Sequence, residues 1–179
     1  MSRLTDKKYW ESVYDSSLRA QVISDTSVLK KYIKRIFGPK LMDWLSAYDD
    51  YLLWRSVFTS YLPKSDRPLL AVEIGSAPGH FMTRFARTFG ANCFGVEYTQ
   101  NGSEVNRMNF AAEGIDPANV IEADFFSDEF INTNKQKFDV VISRGFIEHF
   151  DDVEDVLLRH NALLRPGGVL FVLIPNLKG

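Results

Sequence analysis

A glycine-rich turn between two carboxylates has the residue types and the spacing of a ligand-binding site. The turn covers residues 75–79 (GSAPG), Glu73 lies just before it, and Glu97 lies about 20 residues beyond it. Glycine lets the backbone come close to a bound molecule because it has no Cβ, and a helix that begins there directs unpaired N–H groups at the ligand. A carboxylate at the second position can accept hydrogen bonds from a pair of ribose hydroxyls.

Further polar and aromatic side chains follow the other predicted strands. Tyr98 comes directly after Glu97, Asp124 and Phe125 follow the third strand, and Arg144 follows the fourth. Ligands bind at the carboxyl ends of the strands in an open parallel sheet, so these residues converge on one crevice. Asp124 can accept a hydrogen bond from an exocyclic amine, and Tyr98 and Phe125 offer flat surfaces for a purine. The set predicts a ligand with an adenosine part.

The turn itself separates two kinds of adenosine-bearing cofactor. A dinucleotide fingerprint has glycines in the pattern G-x-G-x-x-G, where the pyrophosphate sits on the helix. Ala77 occupies the second glycine position, and the third glycine is absent. Glu73 would repel a pyrophosphate but attract a cationic amine. The residues therefore favour an adenosine compound that carries an amino acid.

Hydrophobic patterning predicts the elements that position these residues. Short apolar runs, typical of strands buried on both faces of a parallel sheet, alternate with helical patterns. We expect an α/β fold of the Rossmann-like, doubly wound type, with a mainly parallel sheet and helices on both faces. The predicted strands cover residues 69–74, 92–97, 119–122, 138–143 and 169–174, and the predicted helices between them cover residues 81–89, 103–113 and 153–164.

The first 66 residues differ from the rest because they are rich in aromatic side chains at helical spacing. We predict an N-terminal helical cap over residues 1–66 and the Rossmann-like domain over residues 67–179. Within the cap, helical patterns begin near Tyr9, cover residues 28–36 and run from Lys40 to Phe58. The aromatic residues either pack the cap or form a lid over the crevice, and the pattern leaves both open.

The predicted fifth strand lies close to the end of the sequence. Residues 169–174 are apolar, and only five residues follow them to cover the outer edge of the strand. An exposed apolar edge promotes aggregation unless it is covered or paired. We therefore expect either a chain that is truncated after the fifth strand, with C-terminal strands missing, or a homo-oligomer that pairs this edge with another subunit.

Composition argues against several classes of partner. The 179 residues include 21 Lys and Arg against 23 Asp and Glu, which gives a net charge of -2 and no basic excess for nucleic acid or an anionic membrane. The single cysteine, Cys93, allows no internal disulfide, and no Cys and His cluster predicts a metal site. No signal peptide or transmembrane pattern is present, so we predict a soluble, cytoplasmic protein.

Five segments in order resemble the motifs of a known family, the class I S-adenosylmethionine-dependent methyltransferases of the small-molecule type. Residues 147–150 (IEHF), which follow the fourth of these segments, are in addition similar to the LEH segment of such enzymes. The resemblance covers residues 69–176. Its motifs are residues 72–79 (VEIGSAPG), 96–98 (VEY), 123–125 (ADF), 138–143 (FDVVIS) and 164–170 (LRPGGVL).

This resemblance implies a cofactor, S-adenosyl-L-methionine, with S-adenosyl-L-homocysteine as its product. The glycine turn would line the methionine and ribose portions with Glu73 near the amino group, and Glu97 would hold the ribose hydroxyls. Asp124 and the Phe125 backbone would bind the adenine edge, and the main chain near Arg144 would close over the methionine end. The implied cofactor-binding residues are Glu73, Gly75, Ser76, Ala77, Pro78, Gly79, Glu97, Tyr98, Asp124, Phe125 and Arg144.

His149 is the candidate catalytic residue. An imidazole can act as a general base near neutral pH where the acceptor arrives protonated. Glu148 and His149 can equally be residues that shape the start of the next helix. Some related O-methyltransferases bind a divalent metal through a glutamate three residues ahead of a Glu-His pair. Gly145 occupies that position here, so no metal is predicted, and His160 is expected on a helix surface.

We therefore predict methyl transfer from S-adenosylmethionine to an oxygen, nitrogen or carbon atom of a small-molecule acceptor, with no nucleic-acid or membrane partner. Two alternatives remain open. One is a nicotinamide-cofactor oxidoreductase on the same fold, which the missing third glycine disfavours. The other is a non-catalytic module that keeps the cofactor pocket for a structural or regulatory role.

Overall fold

The apolar runs of the sequence form strands in the computed structural model, which describes residues 7–19 and 51–175. Strands and helices alternate along the chain, as the patterning predicts. In chain order the elements are α1 (Lys7–Arg19), β1 (Leu70–Ile74), α2 (His80–Phe89), β2 (Asn92–Glu97), α3 (Gln100–Ala112), β3 (Val120–Glu122), α4 (Asp128–Asn134), β4 (Phe138–Arg144), α5 (Val153–Leu163) and β5 (Leu164–Leu173). Short 3₁₀ turns at Pro117–Asn119 and Ile147–His149 precede β3 and α5.

The five strands form one parallel sheet in the order β3-β2-β1-β4-β5. The direction of winding reverses at β1, which pairs with β2 on one side and with β4 on the other. Where the order reverses, the connections after the two central strands diverge and open a crevice at the carboxyl ends of these strands. The predicted Rossmann-like, doubly wound fold is confirmed.

Right-handed crossovers place the helices on both faces of this sheet. The connections from β1 to β3 carry α2 and α3, which pack against each other, and the connections from β3 to β5 carry α4 and α5, which also pack together. Each fully buried large apolar side chain contributes about 1.5–3 kcal/mol to folding. The main core cluster contains Val72, Ile74, Val96, Phe125, Phe130, Phe138, Val141, Phe150, Val156 and Leu163.

The structure corrects the predicted turn before the fifth strand. β5 begins at Leu164, so residues 165–168 form an irregular segment within the strand, and its register with β4 shifts there. Pro166 has no N–H to donate, and Gly167 has a φ of 80° in the left-handed region. Because these residues cannot continue a regular ladder, they form a bulge, and regular pairing resumes at Val169.

Two helix boundaries also differ from the predictions. α3 begins at Gln100 and not at Ser103, because the Thr99 hydroxyl accepts a hydrogen bond from the backbone N–H of Gly102 and caps the helix. The hydrophobic pattern of the sequence did not predict α4. This short helix begins after Ser127, whose side chain accepts from the backbone N–H of Phe130.

A charged network joins the amino ends of the strands, at the edge of the sheet away from the crevice. Asp139 accepts two hydrogen bonds from Arg67 at 2.8 and 2.9 Å, one from the backbone N–H of Leu70 at 2.8 Å, and one from Arg165 in the β5 bulge at 3.1 Å. Burial raises the pKa of Asp139, but these donors outweigh the burial and hold the pKa below its ordinary value. The network thus ties β1, β4 and the bulge together.

The described residues divide into two compact units. Residues 7–19 belong with residues 63–175, so α1 is part of the unit that contains the sheet, and residues 51–62 belong to the other. That second unit shows a π-helix, Tyr51–Phe58, which continues as one α-helical turn, Thr59–Tyr61. None of the helices in the described part of the chain is long and apolar enough to cross a membrane.

Other predictions for the N-terminal region are not tested. The predicted helix over residues 28–36 and the first part of the helix from Lys40 lie outside the described residues. The domain boundary after residue 66 stays a prediction.

Candidate functional site

The crevice at the carboxyl ends of the strands is a cleft that encloses about 930 Å³, including its open mouth. The sequence-predicted residues that line it are Gly75, Ala77, Glu97, Tyr98, Asp124, Phe125, Arg144 and His149. The remaining lining residues are Trp10, Ile74, Val96, Ala123, Phe126, Gly145, Phe146 and Phe150.

Gly75 begins the turn and lets a neighbouring ring approach the backbone. Its φ is 70°, and a Cβ at this position would lie 2.9 Å from the Phe146 ring. The backbone N–H groups of Gly75 and Ser76 both donate to the Val96 carbonyl, at 2.9 and 3.1 Å. The turn is therefore anchored on β2, and its first glycine supplies a surface without a side chain at the floor of the cleft.

The other predicted turn residues contact α3 and do not line the cleft. The Ser76 hydroxyl accepts a hydrogen bond from the Asn106 side chain at 2.6 Å, and the Pro78 carbonyl accepts from the Asn109 side chain at 2.8 Å. Gly79 has a φ of 95°, and a Cβ there would overlap Asn106 Oδ1. These three residues hold the turn against α3, so their contribution to the cleft is the shape of the backbone.

Glu97 ends β2 at the cleft with a buried carboxylate. One of its oxygens accepts from the backbone N–H groups of Tyr98 and Thr99 and from the Thr99 hydroxyl, at 3.1, 3.0 and 2.7 Å. Burial raises the pKa of Glu97, against hydrogen bonds from Thr99, Ala77 and Tyr98 that favour the charged form. The carboxylate thus connects the glycine turn to the start of α3 and faces the cleft.

The third strand brings Asp124 and Phe125 to the same cleft. Asp124 is exposed, and its side chain accepts from the backbone N–H of Phe126 at 3.0 Å, which stabilises the turn after β3. Phe125 is buried, and its ring meets the ring of Phe146 edge to face with centroids 5.6 Å apart. Asp124 and Phe125 thus both line the cleft, and their assignment to a purine site stays a prediction.

Glu73 and Arg144 form an ion pair between β1 and β4. Arg144 Nε donates to Glu73 Oε1 at 2.8 Å, and the second oxygen of this buried carboxylate, Oε2, has no hydrogen-bond partner among the described residues. Burial raises the pKa of Glu73 to about 7, although Arg144 opposes that shift. Arg144 lines the cleft, whereas Glu73 lies behind it.

We expect Glu73→Gln to flatten the pH dependence of stability. A folded-state pKa of about 7 lies above the ordinary 4.5, so the contribution of Glu73 to stability is full below about pH 4.5 and is lost as pH rises through 7. Glutamine keeps an oxygen for Arg144. Relative to the wild type, the variant should gain on the order of 1–3 kcal/mol in unfolding free energy between pH 5 and pH 8.

Urea unfolding at both pH values measures this difference. Glu113→Gln is the control, because Glu113 is exposed and pairs with Arg87 at the surface. Parallel pH profiles for wild type and Glu73→Gln would contradict the assignment.

Aromatic side chains form the β4 side of the cleft. Phe146 lies 4.9 Å from Phe150 and Phe150 lies 4.7 Å from Phe126, measured between ring centroids. The His149 ring meets Trp10 of α1 edge to face at 5.5 Å. These rings form an apolar surface beside His149.

The first helix is fastened to the start of α3. The Glu11 carboxylate accepts from the backbone N–H groups of Gln100 and Asn101, at 3.1 and 3.3 Å, and so satisfies two free donors at the helix N-terminus. The Asn101 side chain donates back to the Glu11 carbonyl at 3.4 Å. Lys7 lies 5.6 Å from the centroid of the Tyr98 ring. These contacts place Trp10 at the cleft.

The sequence analysis missed the aromatic wall as part of the site. Phe126, Phe146 and Phe150 all follow the ends of β3 or β4, and that position is the signal that could have identified them. Trp10 carried no such signal, because its place in the cleft depends on the contact between α1 and α3. In the sequence, Trp10 is one of many aromatic residues at helical spacing, and nothing distinguishes it from the others.

The prediction that His160 lies on a helix surface is wrong, because its side chain is fully buried. Its Nδ1 lies 2.7 Å from the Val156 carbonyl, which can only accept, so the Nδ1 proton donates there. Burial lowers the pKa of His160 to about 4. Its ring packs 4.5 Å from Phe125, and this neutral histidine supports the cleft from behind.

The residues of the cleft fit an adenosine compound that carries an amino acid. Gly75 provides backbone without a Cβ, and Glu97 provides a buried acceptor. Oε2 of Glu73 is a buried polar atom beside the turn that none of the described residues satisfies. Among the described residues, no group of three or more His, Cys, Asp and Glu side chains could hold a metal ion.

A parallel sheet with a glycine turn after β1 and a buried carboxylate after β2 defines a Rossmann-like cofactor-binding domain. The model of one family, a methyltransferase domain, matches residues 47–178. The chain belongs to this methyltransferase family, and the predicted class, the S-adenosylmethionine-dependent methyltransferases, is confirmed.

Curated relatives include the ubiquinone biosynthesis O-methyltransferases of Brucella melitensis biotype 2 (strain ATCC 23457) and Sinorhizobium fredii, which are 29% and 26% identical over 117 residues. Each match covers 64% of this chain and 45% of the relative, so the chain spans less than half the length of these relatives.

Solved structures share the fold. A proposed S-adenosyl-L-methionine-dependent methyltransferase of Methanococcus maripaludis aligns with a TM-score of 0.58 and 19% identity, over 86% of this chain and 68% of that one. The [4+2]-cyclase SpnF aligns with a TM-score of 0.55 and 18% identity, over 67% and 43%. Because a cyclase is among them, the fold alone does not define the reaction.

Proposed function

We propose that this protein transfers a methyl group from S-adenosyl-L-methionine to an oxygen, nitrogen or carbon atom of a small-molecule acceptor. The observation that carries the proposal is the buried Glu97 carboxylate at a cleft that the side-chain-free backbone of Gly75 also lines. Membership of a methyltransferase family supports the reaction class.

The cofactor, when bound, supplies a methyl group activated by a sulfonium. The residues of the chain bind and orient it. Glu97 would accept hydrogen bonds from the ribose hydroxyls, Asp124 and the Phe125 backbone would bind the adenine edge, and the Tyr98 ring would contact the purine. Because the methyl group is already activated, the main task of the protein is to position an acceptor in line and to exclude water.

The aromatic wall performs that second task. Phe146, Phe150 and Trp10 supply apolar surface beside His149, so an acceptor atom held there is shielded from solvent. His149 takes a proton from the acceptor where a hydroxyl or an amine must be deprotonated before it attacks. Flat rings on this wall, together with the names of the curated relatives, support an oxygen atom of a flat, largely apolar acceptor as the first candidate.

The proposal extends to partners and location. A net charge of -2 supports a small-molecule acceptor over nucleic acid, and it is compatible with a soluble, cytoplasmic protein. β5 is an edge strand of the sheet, and most of its side chains are only half buried. Pairing of this edge with another subunit, or its coverage by further chain, stays a prediction.

Calorimetric titration with S-adenosyl-L-homocysteine, with NAD in a parallel cell, tests the proposal. We expect S-adenosyl-L-homocysteine alone to bind in the micromolar range, at about -8 kcal/mol. Binding of NAD alone would favour an oxidoreductase, and binding of neither compound would refute the proposal. If S-adenosyl-L-homocysteine binds, transfer of a labelled methyl group to a panel of phenols, amines and carbon acids separates an enzyme from a non-catalytic module.

A further inference from the structure

Arg144 ends β4 at the cleft, and two contacts hold its guanidinium in place. Nε donates to Glu73 Oε1 at 2.8 Å, and the guanidinium carbon lies 4.0 Å from the centroid of the Phe81 ring. The side chain is 40% exposed and lines the cleft. One edge of the guanidinium is thus directed at a buried carboxylate and one face is stacked on a ring, an arrangement that limits its rotation.

The two Nη groups of Arg144 are without a hydrogen-bond partner in the part of the chain that the structure describes, residues 7–19 and 51–175. A guanidinium has five N–H donors in a planar fork, so four remain for a ligand after the bond to Glu73. Such a fork matches the two oxygens of a carboxylate in a bidentate pair.

The surroundings of Arg144 favour an anion. Phe81 belongs to the first turn of α2, so the guanidinium lies beside a helix N-terminus, where the helix dipole is positive. The N-cap of this helix is Gly79, which has no side chain to accept from the free N–H groups. Glu73 neutralises the positive charge of Arg144 only in part, because burial raises the pKa of Glu73 to about 7 and so disfavours its charged form.

We propose that Arg144 is the anion-binding residue of the cleft and that its Nη groups bind a carboxylate of the ligand. The inference rests on the proposed function, since it assumes that the cleft binds the cofactor and the acceptor. Two ligands can supply the carboxylate, namely the amino-acid end of the cofactor and an acidic acceptor. Both would use the same pair of N–H donors.

Calorimetry with three probes separates these sources. S-adenosyl-L-homocysteine carries the amino-acid carboxylate, and 5′-methylthioadenosine has the adenosine and thioether without it. Benzoate, added to protein saturated with S-adenosyl-L-homocysteine, represents an acidic acceptor with a flat ring. The variants are Arg144→Gln and the double variant Glu73→Gln/Arg144→Gln, which leaves no unpaired charge in the core. Arg87→Gln, on the exposed side of α2, is the matched control.

Two results would support the proposal. If the cofactor supplies the carboxylate, both Arg144 variants should bind S-adenosyl-L-homocysteine about 10- to 100-fold more weakly and 5′-methylthioadenosine as tightly as the wild type. If the acceptor supplies it, the affinities for the two adenosine compounds should not change, and the binding of benzoate to the wild type should be lost in both variants.

Other results would overturn it. Unchanged affinity of the Arg144 variants for all three probes would show that Arg144 does not bind the ligand. An equal loss of affinity for both adenosine compounds would show that Arg144 has a structural role only. Failure of the wild type to bind either adenosine compound is a distinct result, because it would refute the proposed function.

Discussion

Replacing Gly79 by alanine is expected to lower the free energy of unfolding by about 2–5 kcal/mol. The φ of 95° at this position costs a residue with a Cβ about 1–2 kcal/mol. The added Cβ would also overlap Oδ1 of the buried Asn106, whose side chain is held by Ser76, and overpacking of this kind costs about 1–3 kcal/mol. Urea unfolding of both proteins measures the difference.

Gly90→Ala provides the matched control, since Gly90 is also left-handed, with a φ of 63°, and has no atom within 4 Å of the added Cβ. This control should lose only the backbone contribution of about 1–2 kcal/mol. Equal losses of unfolding free energy in the two variants would show that the close contact between Gly79 and α3 does not contribute to the effect of the substitution.

Replacing Glu97 by glutamine is expected to weaken binding of S-adenosyl-L-homocysteine by about 10- to 100-fold. The ribose hydroxyls lose a charged acceptor, which corresponds to about 1.4–3 kcal/mol. Glutamine keeps an oxygen for the donors of Thr99, so the start of α3 is preserved. Burial raises the pKa of Glu97, so the wild-type affinity should decrease as pH falls through that raised pKa, while the affinity of the variant should not follow it.

Calorimetry over a series of pH values tests both statements. Glu122→Gln is the control, because Glu122 ends the neighbouring strand β3 but is exposed and pairs with Arg107 outside the cleft. Unchanged affinity in Glu97→Gln would remove Glu97 from the ribose site.

The fold was largely readable from the sequence because its signals are local. Strands buried on both faces have apolar central residues, as residues 140–142 of β4 are, and left-handed turns favour glycine, as at Gly75. The irregular pairing of β4 with β5 could not be predicted from local signals in the sequence. The bulge at residues 165–168 depends on the register between β4 and β5, and Arg165 there reaches Asp139, 26 residues away.

The sequence by itself determined which segments form strands, the glycine turn and the carboxylates at the strand ends, because each depends on residue type and short spacing. Only the tertiary structure decided which groups meet. It paired Glu73 with Arg144 across 71 residues, brought Trp10 to His149 through the contact between α1 and α3, and buried His160 behind Phe125. Such contacts depend on how distant elements pack, and the spacing of residues along a chain does not specify that packing.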